Sequence, residues 1–367
     1  MSATSERNDK VQQILVSLYQ KAIDPTTRVD ESPYKDSVDK LFTTDVWGFR
    51  EVLLVVIVGM YLNPNYKAST GFYGCKPRAL YEGPIKEFLL DKNIPHRKSG
   101  PLNVAKAAVG LNETWAAQRQ PDDVARAIVR LVNYLEADNG SLRDKITSIG
   151  ISLMRRLINE SQALQELAVD IEPSADPDFL FYLCKELITK VPDAGNTPQK
   201  IAALLLKNYH LYFHTGIEVT GDEDRASVTS TTSKKPGDIN EECAGRIYKV
   251  YEVTVKAFDV ARIRDSYDCI KIYNDEHGTD INEIIVICRP QDCPSDIIRS
   301  GMHGYLGKYE YQNVVYYYWD LFEWAVNLLQ HMTPDGRKGF YASLNSYINA
   351  TNTAEKVKRL WLELHTQ

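Results

Sequence analysis

The sequence predicts an α+β protein in which a mainly helical N-terminal domain precedes an α/β domain that contains a mixed sheet. Helical periodicity dominates up to about residue 190, turn-forming residues follow at 191–196, and strand-like segments begin near residue 217. The chain has 367 residues, which is long enough for two domains of ordinary size. We therefore expect one domain at residues 1–192 and a second at residues 193–367.

The N-terminal domain is expected to consist of amphipathic helices. Residues 122–137 have the clearest pattern, with apolar side chains spaced as on one helix face: Val124, Ile128, Leu131, Val132 and Leu135. Similar patterns cover residues 142–160 and 178–190. The longest apolar run, from Leu53 to Leu62, is too short to span a bilayer and predicts a buried core helix.

The C-terminal domain is expected to begin with a helix that Thr197 caps and to continue with strands. Residue composition and periodicity predict strands at residues 217–220, 227–232, 246–257 and 283–288. Asp259 is the expected N-cap of a helix between the last two strands, and residues 314–332 and 353–365 are predicted to close the chain as helices. This order of elements is typical of a mixed sheet covered by helices.

Composition and cysteine usage restrict the class of protein. The N-terminus is polar and lacks the pattern of a secretory signal, and the six cysteines include no CxxC pair. We therefore expect free thiols, a cytoplasmic location and no membrane association. The formal net charge of -6 argues against a uniformly basic nucleic-acid-binding protein, although a single basic face can bind DNA regardless of the total.

One segment of the C-terminal domain combines residue types that phosphodiester cleavage requires. Side chains alternate along a strand, so Glu252, Thr254 and Lys256 are expected to share one face. Asp238 joins them if the turn signal Ala244-Gly245 closes a hairpin. Carboxylates bind Mg²⁺, and a lysine can orient or deprotonate the attacking water and offset phosphate charge. The alternative is a solvated strand face on which Glu and Lys are cross-strand partners.

The order of Pro236-Gly-Asp238, strand, Lys256, helix and buried strand resembles the PD-(D/E)xK nuclease superfamily. The resemblance implies a PD-(D/E)xK-type nuclease core whose catalytic residues are Asp238, Glu252 and Lys256, with Mg²⁺ held by Asp238 and Glu252. The position two before the lysine is Thr254, where the family pattern has an acid. Either Thr254 or Glu252 could complete the site with one metal or two, and we favour Glu252 because Mg²⁺ prefers a charged oxygen.

A second resemblance lies in the N-terminal domain. Residues 73–82 (YGCKPRALYE) and 99–103 (SGPLN) resemble helical segments of SacI-like type II restriction endonucleases. Basic side chains near these motifs and near the acids are candidates for contacts with DNA phosphates. The candidates are Arg78, Arg97, Lys98, Lys234, Lys235, Arg262 and Arg264.

Together the two resemblances imply a type II restriction endonuclease that cuts a specific duplex DNA sequence with Mg²⁺. Such an enzyme is expected to act as a homodimer on a symmetric site and to be accompanied by a separate cognate DNA methyltransferase. Two alternatives remain open. One is a less specific nuclease of DNA repair or phage defence, and the other is a non-catalytic DNA-binding protein with a degenerate nuclease fold.

Overall fold

A computed structural model of the chain describes residues 3–221 and 235–366. The chain divides into two compact units, and the boundary between them in the sequence lies between Glu166 and Leu167. This division lies earlier than the boundary expected between residues 192 and 193. The helix Pro177–Lys190 packs against other helices of the second unit through Leu180, Leu183 and neighbouring apolar side chains, and it therefore belongs to that unit.

Every regular element in the described part of the first unit is helical. Its α-helices are α1 (Ala3–Ile23), α2 (Lys35–Lys40), α3 (Gly48–Leu62), α4 (Pro77–Leu80), α5 (Lys86–Asp91), α6 (Leu102–Ala105), α7 (Glu113–Ala116), α8 (Asp122–Glu136) and α9 (Leu142–Gln165). Helix α3 is buried from Gly48 to Met60 and packs against α1, α8 and α9, as its apolar sequence predicts. The five periodic apolar residues of α8 are all buried.

The second unit combines helices and strands. In chain order its elements are α10 (Pro177–Lys190), α11 (Asn196–Tyr212), β1 (Glu218–Thr220), β2 (Ile239–Cys243), β3 (Arg246–Val253), α12 (Val260–His277), β4 (Glu283–Cys288), β5 (Ile298–Arg299), β6 (Tyr305–Tyr311), β7 (Val314–Asp320), α13 (Leu321–His331), α14 (Pro334–Asn349) and α15 (Glu355–Thr366). The α+β class with a mixed sheet is confirmed.

The strands form one sheet in the order β1-β2-β3-β4-β7-β6-β5. The β3–β4 and β4–β7 pairs are parallel, and the other pairs are antiparallel. Tyr251 and Ile287 pack into a core with the helices on one face, whereas Val250 and Val286 pack against α12 on the other face. Strand β4 thus supplies apolar side chains to both cores, which explains its continuous apolar sequence.

The strand predicted at residues 246–257 is shorter than expected, because β3 ends at Val253. The Thr254 amide still donates to the carbonyl of Ile287 at 3.0 Å. The Thr254 hydroxyl then accepts from the Lys256 amide and donates to the Lys256 carbonyl, both at 3.0 Å, which turns the chain out of the sheet. Lys256 therefore lies beyond the strand, and period-two alternation does not align it with Glu252.

The helix predicted at residues 314–332 is wrong in its first part, where the structure has strand β7. Its β-branched and aromatic residues suit a strand paired with β6, and β6 was not predicted from the sequence. Asp320 then caps α13 by accepting from the amides of Phe322 and Glu323. Helix α14 was also not predicted, and the strand expected at residues 227–232 lies outside the described residues. No helix within the described ranges is long and apolar enough to cross a bilayer.

Candidate functional site

The β2–β3 hairpin positions Asp238 and Glu252. Its turn is Ala244-Gly245, and both residues have positive φ (50° and 76°), as a tight two-residue hairpin turn requires. Ile239 pairs with Tyr251, so Asp238, just before β2, lies opposite Glu252 near the end of β3. The hairpin expected from the Ala-Gly turn signal is present, and it brings the two acids together.

Close backbone packing fixes the turn that carries Asp238. A Cβ on Gly237 would lie 2.4 Å from a Val250 methyl group and 2.9 Å from the Tyr251 carbonyl oxygen, so only glycine fits at this position. The side-chain amide of Gln199 donates to the carbonyls of both Gly221 and Asp238 at 3.3 Å. The Pro-Gly-Asp sequence thus brings the Asp238 backbone against β3 and holds it there.

The Asp238 and Glu252 carboxyl groups lie close enough for each to affect the pKa of the other. Asp238 accepts from the Val253 amide at 3.0 Å, and Glu252 accepts from the Ser266 hydroxyl of α12 at 3.1 Å. Glu252 is only 5% exposed, whereas Asp238 keeps a partly exposed edge. The site is therefore a pair of adjacent acids at the edge of a core, accessible from the side of Asp238.

Burial raises the pKa of both carboxyl groups. The increase is larger for Glu252, whose pKa lies well above its ordinary value, since the negative charge of Asp238 adds to the effect of burial. The Arg262 guanidinium lowers the pKa of both groups and partly offsets these effects. Two adjacent buried acids of this kind favour sharing a proton, and a bound cation favours releasing it.

Arg262 and Thr254 lie near the two acids and are hydrogen-bonded to each other. The Arg262 guanidinium donates to the Thr254 hydroxyl at 2.7 Å and lies 4.7 Å from the centre of the Phe258 ring. Thr254 is 4% exposed, and its hydroxyl is occupied by Arg262 and by the backbone of Lys256. The geometry therefore gives Thr254 a positioning role and leaves Glu252 as the second acid beside Asp238.

Lys256 is exposed on the segment after β3. Its backbone is held by Thr254, and no hydrogen bond or ion pair of its ammonium occurs within the part of the chain that the structure describes. The structure thus brings Asp238 and Glu252 together. Lys256 follows Glu252 by four residues, and its side chain is exposed to solvent.

The other basic candidates differ in their surroundings. Arg264 is exposed, and exposed Arg78 forms an ion pair with Glu82 at 3.3 Å. The Arg97 guanidinium lies 4.1 Å from the centre of the Trp47 ring, so part of its role is structural. Lys98 and Lys235 each take part in an interaction within the chain. Lys234 lies outside the described residues.

Ser266, which contacts Glu252 directly, was not predicted from the sequence. Ser266 and Arg262 are four residues apart on α12 and therefore lie on the same side of that helix. Ser266 is 5% exposed and lies between the buried apolar residues Ile263 and Ile270. A small polar residue within an apolar helix face is a sequence signal that could have indicated Ser266. Its partner, Glu252, is evident only once α12 is packed against the sheet.

The donor set of the acid pair is suited to a hard cation. Within the described ranges, no group of three or more His, Cys, Asp and Glu side chains is arranged to hold a metal ion. Mg²⁺ commonly takes only one or two carboxylates from a protein and completes its shell with water and substrate phosphate oxygens. Asp238 and Glu252 match that requirement in number and in chemistry.

Glu241 lies on the opposite face of the same hairpin. It is 2% exposed and accepts hydrogen bonds from Tyr251 at 2.7 Å, His210 at 3.0 Å and Tyr248 at 3.1 Å. Lys249 adds a positive charge at 3.6 Å. Burial raises the pKa of Glu241, but these partners outweigh burial and hold the pKa below its ordinary value. The contacts of Glu241 therefore give it a structural role on the face away from Asp238 and Glu252.

Two comparisons with known proteins, one with protein-family models and one with curated proteins, found no match for this chain. The function is therefore inferred from the geometry and chemistry of the acid pair.

The pKa directions predict opposite effects of two matched substitutions. The pKa of Glu252 is higher in the folded than in the unfolded state, so its ionisation removes stability as pH rises above the unfolded value. Glu252→Gln should therefore raise the thermal midpoint of metal-free protein near pH 8, by about 2–4 °C for each kcal/mol relieved, and the gain should disappear near pH 4. Thermal unfolding followed by circular dichroism measures this difference.

Glu241→Gln is the matched control. The folded-state pKa of Glu241 is lowered, so this carboxylate stabilises the fold above its unfolded pKa, and the contribution is lost as pH falls through the folded pKa. Glu241→Gln should lower the midpoint near pH 8, with a smaller effect in acid. A Glu252→Gln variant that is less stable than the parent at alkaline pH would contradict the proposed repulsion between the acids.

Proposed function

We propose that the chain is a type II restriction endonuclease of the PD-(D/E)xK kind, which hydrolyses phosphodiester bonds in a specific duplex DNA sequence with Mg²⁺. The observation that carries the proposal is the contact between Asp238 and Glu252 at the base of the β2–β3 hairpin. The pair follows a Pro-Gly-Asp turn, and the helix and buried parallel strand expected from the resemblance follow it in the chain. Both features support the proposal.

Asp238 and Glu252 are the residues that would hold Mg²⁺. Their adjacent oxygens and raised pKa values make the pair unfavourable without a cation, so a divalent ion would relieve the repulsion between them. When bound there, Mg²⁺ would supply Lewis acidity toward a phosphodiester. Arg262 balances part of the negative charge, and Ser266 orients the Glu252 carboxylate.

Lys256 is assigned the water-orienting and charge-neutralising role. Its backbone is fixed by two hydrogen bonds to the Thr254 hydroxyl, while its side chain is exposed and can approach a phosphate. An ammonium so placed can hold the attacking water and offset the charge that develops on the phosphate. Arg264 and Arg78 are exposed and can contribute phosphate contacts.

The wider assignments follow from the proposed class of enzyme. A homodimer would place two such sites on the two strands of a symmetric sequence, and a separate methyltransferase would protect the host DNA. A cytoplasmic location is compatible with the six cysteines, all of which are free.

A second candidate is a non-catalytic DNA-binding protein with a degenerate nuclease fold. The observation that favours it is Thr254, whose side chain stands where the family pattern has an acid and whose hydroxyl is already occupied. A less specific nuclease of repair or phage defence is the remaining alternative. Digestion of a defined plasmid separates all three, since discrete fragments, a smear and intact DNA are distinct results.

Removal of the Asp238 carboxylate or of the Lys256 ammonium should abolish cleavage. Asp238→Asn and Lys256→Ala should each reduce the rate by at least about 100-fold, because the first removes a metal ligand and the second removes the cation beside the phosphate. Lys256→Arg should not restore activity, since the planar guanidinium differs in shape from the ammonium that orients the water. The measurement is the initial rate of plasmid cleavage with saturating Mg²⁺, normalised to folded protein.

Glu241→Gln is again the control. It removes a buried carboxylate from the same hairpin but from the opposite face, so it should lower stability while leaving the cleavage rate per folded molecule unchanged. Full activity of Asp238→Asn would exclude this site, whereas equal loss in all variants would indicate damage to the hairpin rather than to catalysis.

Substitutions at Glu252 and Thr254 distinguish the roles of the two residues by their effects on the cleavage rate. Glu252→Gln should destroy activity, since a neutral amide binds Mg²⁺ weakly. Thr254→Val should reduce the cleavage rate less than Glu252→Gln does, because it removes hydrogen bonds to Arg262 and to the Lys256 backbone but no proposed metal ligand. Both variants are assayed at a temperature below their unfolding midpoints. An inactive Thr254→Val with an active Glu252→Gln would reverse the assignment of the second ligand.

Metal binding can be tested without DNA. A ligand that binds only the folded state stabilises it by about 2.7 kcal/mol at 100 times its dissociation constant, so Mg²⁺ should raise the thermal midpoint of the wild type by several degrees. The increase should be lost in Asp238→Asn and kept in Glu241→Gln. An equal increase in both variants would place the metal elsewhere.

A further inference from the structure

We propose that Cys288 and Cys293 form a reversible disulfide when they meet a small-molecule disulfide such as oxidised glutathione, and that this modification controls the segment that carries Lys256. The two sulfur atoms are 3.6 Å apart, and both thiols are free. Cys288 is fully buried at the end of β4, whereas Cys293 is half-buried in the loop that follows. One thiol is thus accessible to an oxidant, and its partner is already adjacent.

The geometry requires only a small movement. Bonded sulfur atoms lie about 2.05 Å apart, so closure needs an approach of about 1.5 Å along the line that joins them. Four residues, 289–292, separate the two cysteines, and Pro290–Asp292 forms a short 3₁₀ turn. The ring that closes is therefore small and local, and its closure leaves the strand pairing of β4 in place.

The exchange balances as two thiol–disulfide steps. The Cys293 thiolate attacks one sulfur of oxidised glutathione, forms a mixed disulfide and releases one glutathione thiolate. The Cys288 thiol then loses its proton and its sulfur attacks the Cys293 sulfur, which releases the second glutathione. Two protein thiols are oxidised to one disulfide, and one glutathione disulfide is reduced to two thiols.

The electrostatic surroundings assign these roles to the two sulfurs. The hydrogen bond from Cys288 lowers the pKa of Cys293, and the charge of Arg299 acts in the same direction. The pKa of Cys288 is raised by the same hydrogen bond and by burial. Cys293 is therefore the thiol that reacts first, and Cys288 is the thiol that resolves the mixed disulfide.

The loop between the two cysteines holds the backbone on both sides of Lys256. Arg289 donates to the carbonyl of Val255 at 2.6 Å, and the Phe258 amide donates to the carbonyl of Asp292 at 2.8 Å. Arg289 and Asp292 also form an ion pair at 2.6 Å. Drawing the two sulfurs together moves the loop that makes these contacts, so we expect the hold on the backbone beside Lys256 to differ between the reduced and oxidised forms.

The first arm of the test concerns the thiols alone. Full-length protein is incubated with oxidised glutathione, alkylated and digested, and the expected product is a peptide that links Cys288 to Cys293. Cys293→Ser should give no linked peptide, and the control Cys243→Ser, which removes an exposed cysteine elsewhere, should behave as the wild type. A persistent glutathione adduct on Cys293, or no reaction at either thiol, would overturn the proposal.

The second arm concerns the coupling to Lys256 and rests on the proposed nuclease activity. Oxidation should reduce plasmid cleavage severalfold, reduction should restore it, and Cys293→Ser should be insensitive to the oxidant. Hydrogen exchange at residues 254–258 is measured on the same samples and should rise on oxidation of the wild type only. An unchanged exchange rate with the disulfide formed would refute the coupling, whereas changed exchange in a protein that never cleaves DNA would refute the nuclease alone.

Discussion

The second unit is organised around an unfavourable contact, the burial of the Asp238 and Glu252 carboxyl groups side by side at the edge of a core. Like charges repel strongly where water is scarce, and each carboxylate also loses hydration on burial. The neighbouring groups offset these effects only in part. The Val253 amide and the Ser266 hydroxyl each satisfy one carboxyl group, and Arg262 supplies a positive charge. A turn glycine with no room for a side chain then keeps the acids in register.

The opposite face of the hairpin shows what a structural acid looks like in the same setting. Glu241 is as deeply buried as Glu252, but Tyr251, His210 and Tyr248 donate hydrogen bonds to it. A slip of one residue between the strands would exchange the two faces of β2 and move Glu241 out of this network. The satisfied acid on one face therefore fixes the register on which the strained pair on the other face depends.

Local signals predicted the elements of the site better than its side-chain contacts. The Ala244-Gly245 turn indicated the hairpin because the turn needs positive φ, and the apolar run of β4 indicated a strand buried on both faces. The position of Lys256 was not predictable from periodicity, because a threonine hydroxyl that bonds the backbone ends the strand first. The error at residues 314–332 has a similar cause. Aromatic and β-branched residues form strand β7 only because β6 lies beside it, and that pairing is not local.

The unfavourable contact between Asp238 and Glu252 also bears on function. An apolar pair of similar volume at positions 238 and 252 would pack against α12 without charge burial, so stability alone does not account for the acids. In the proposed function they would provide affinity for a cation, and Arg262 and Lys256, which follow Glu252 in the chain, would provide tolerance of an anion. A ligand that combines both charges, such as a phosphodiester accompanied by a divalent ion, matches this arrangement better than either charge alone. In the proposed function, the repulsion between the two acids would make the site selective for a ligand that brings positive charge to them, because such a ligand relieves the repulsion.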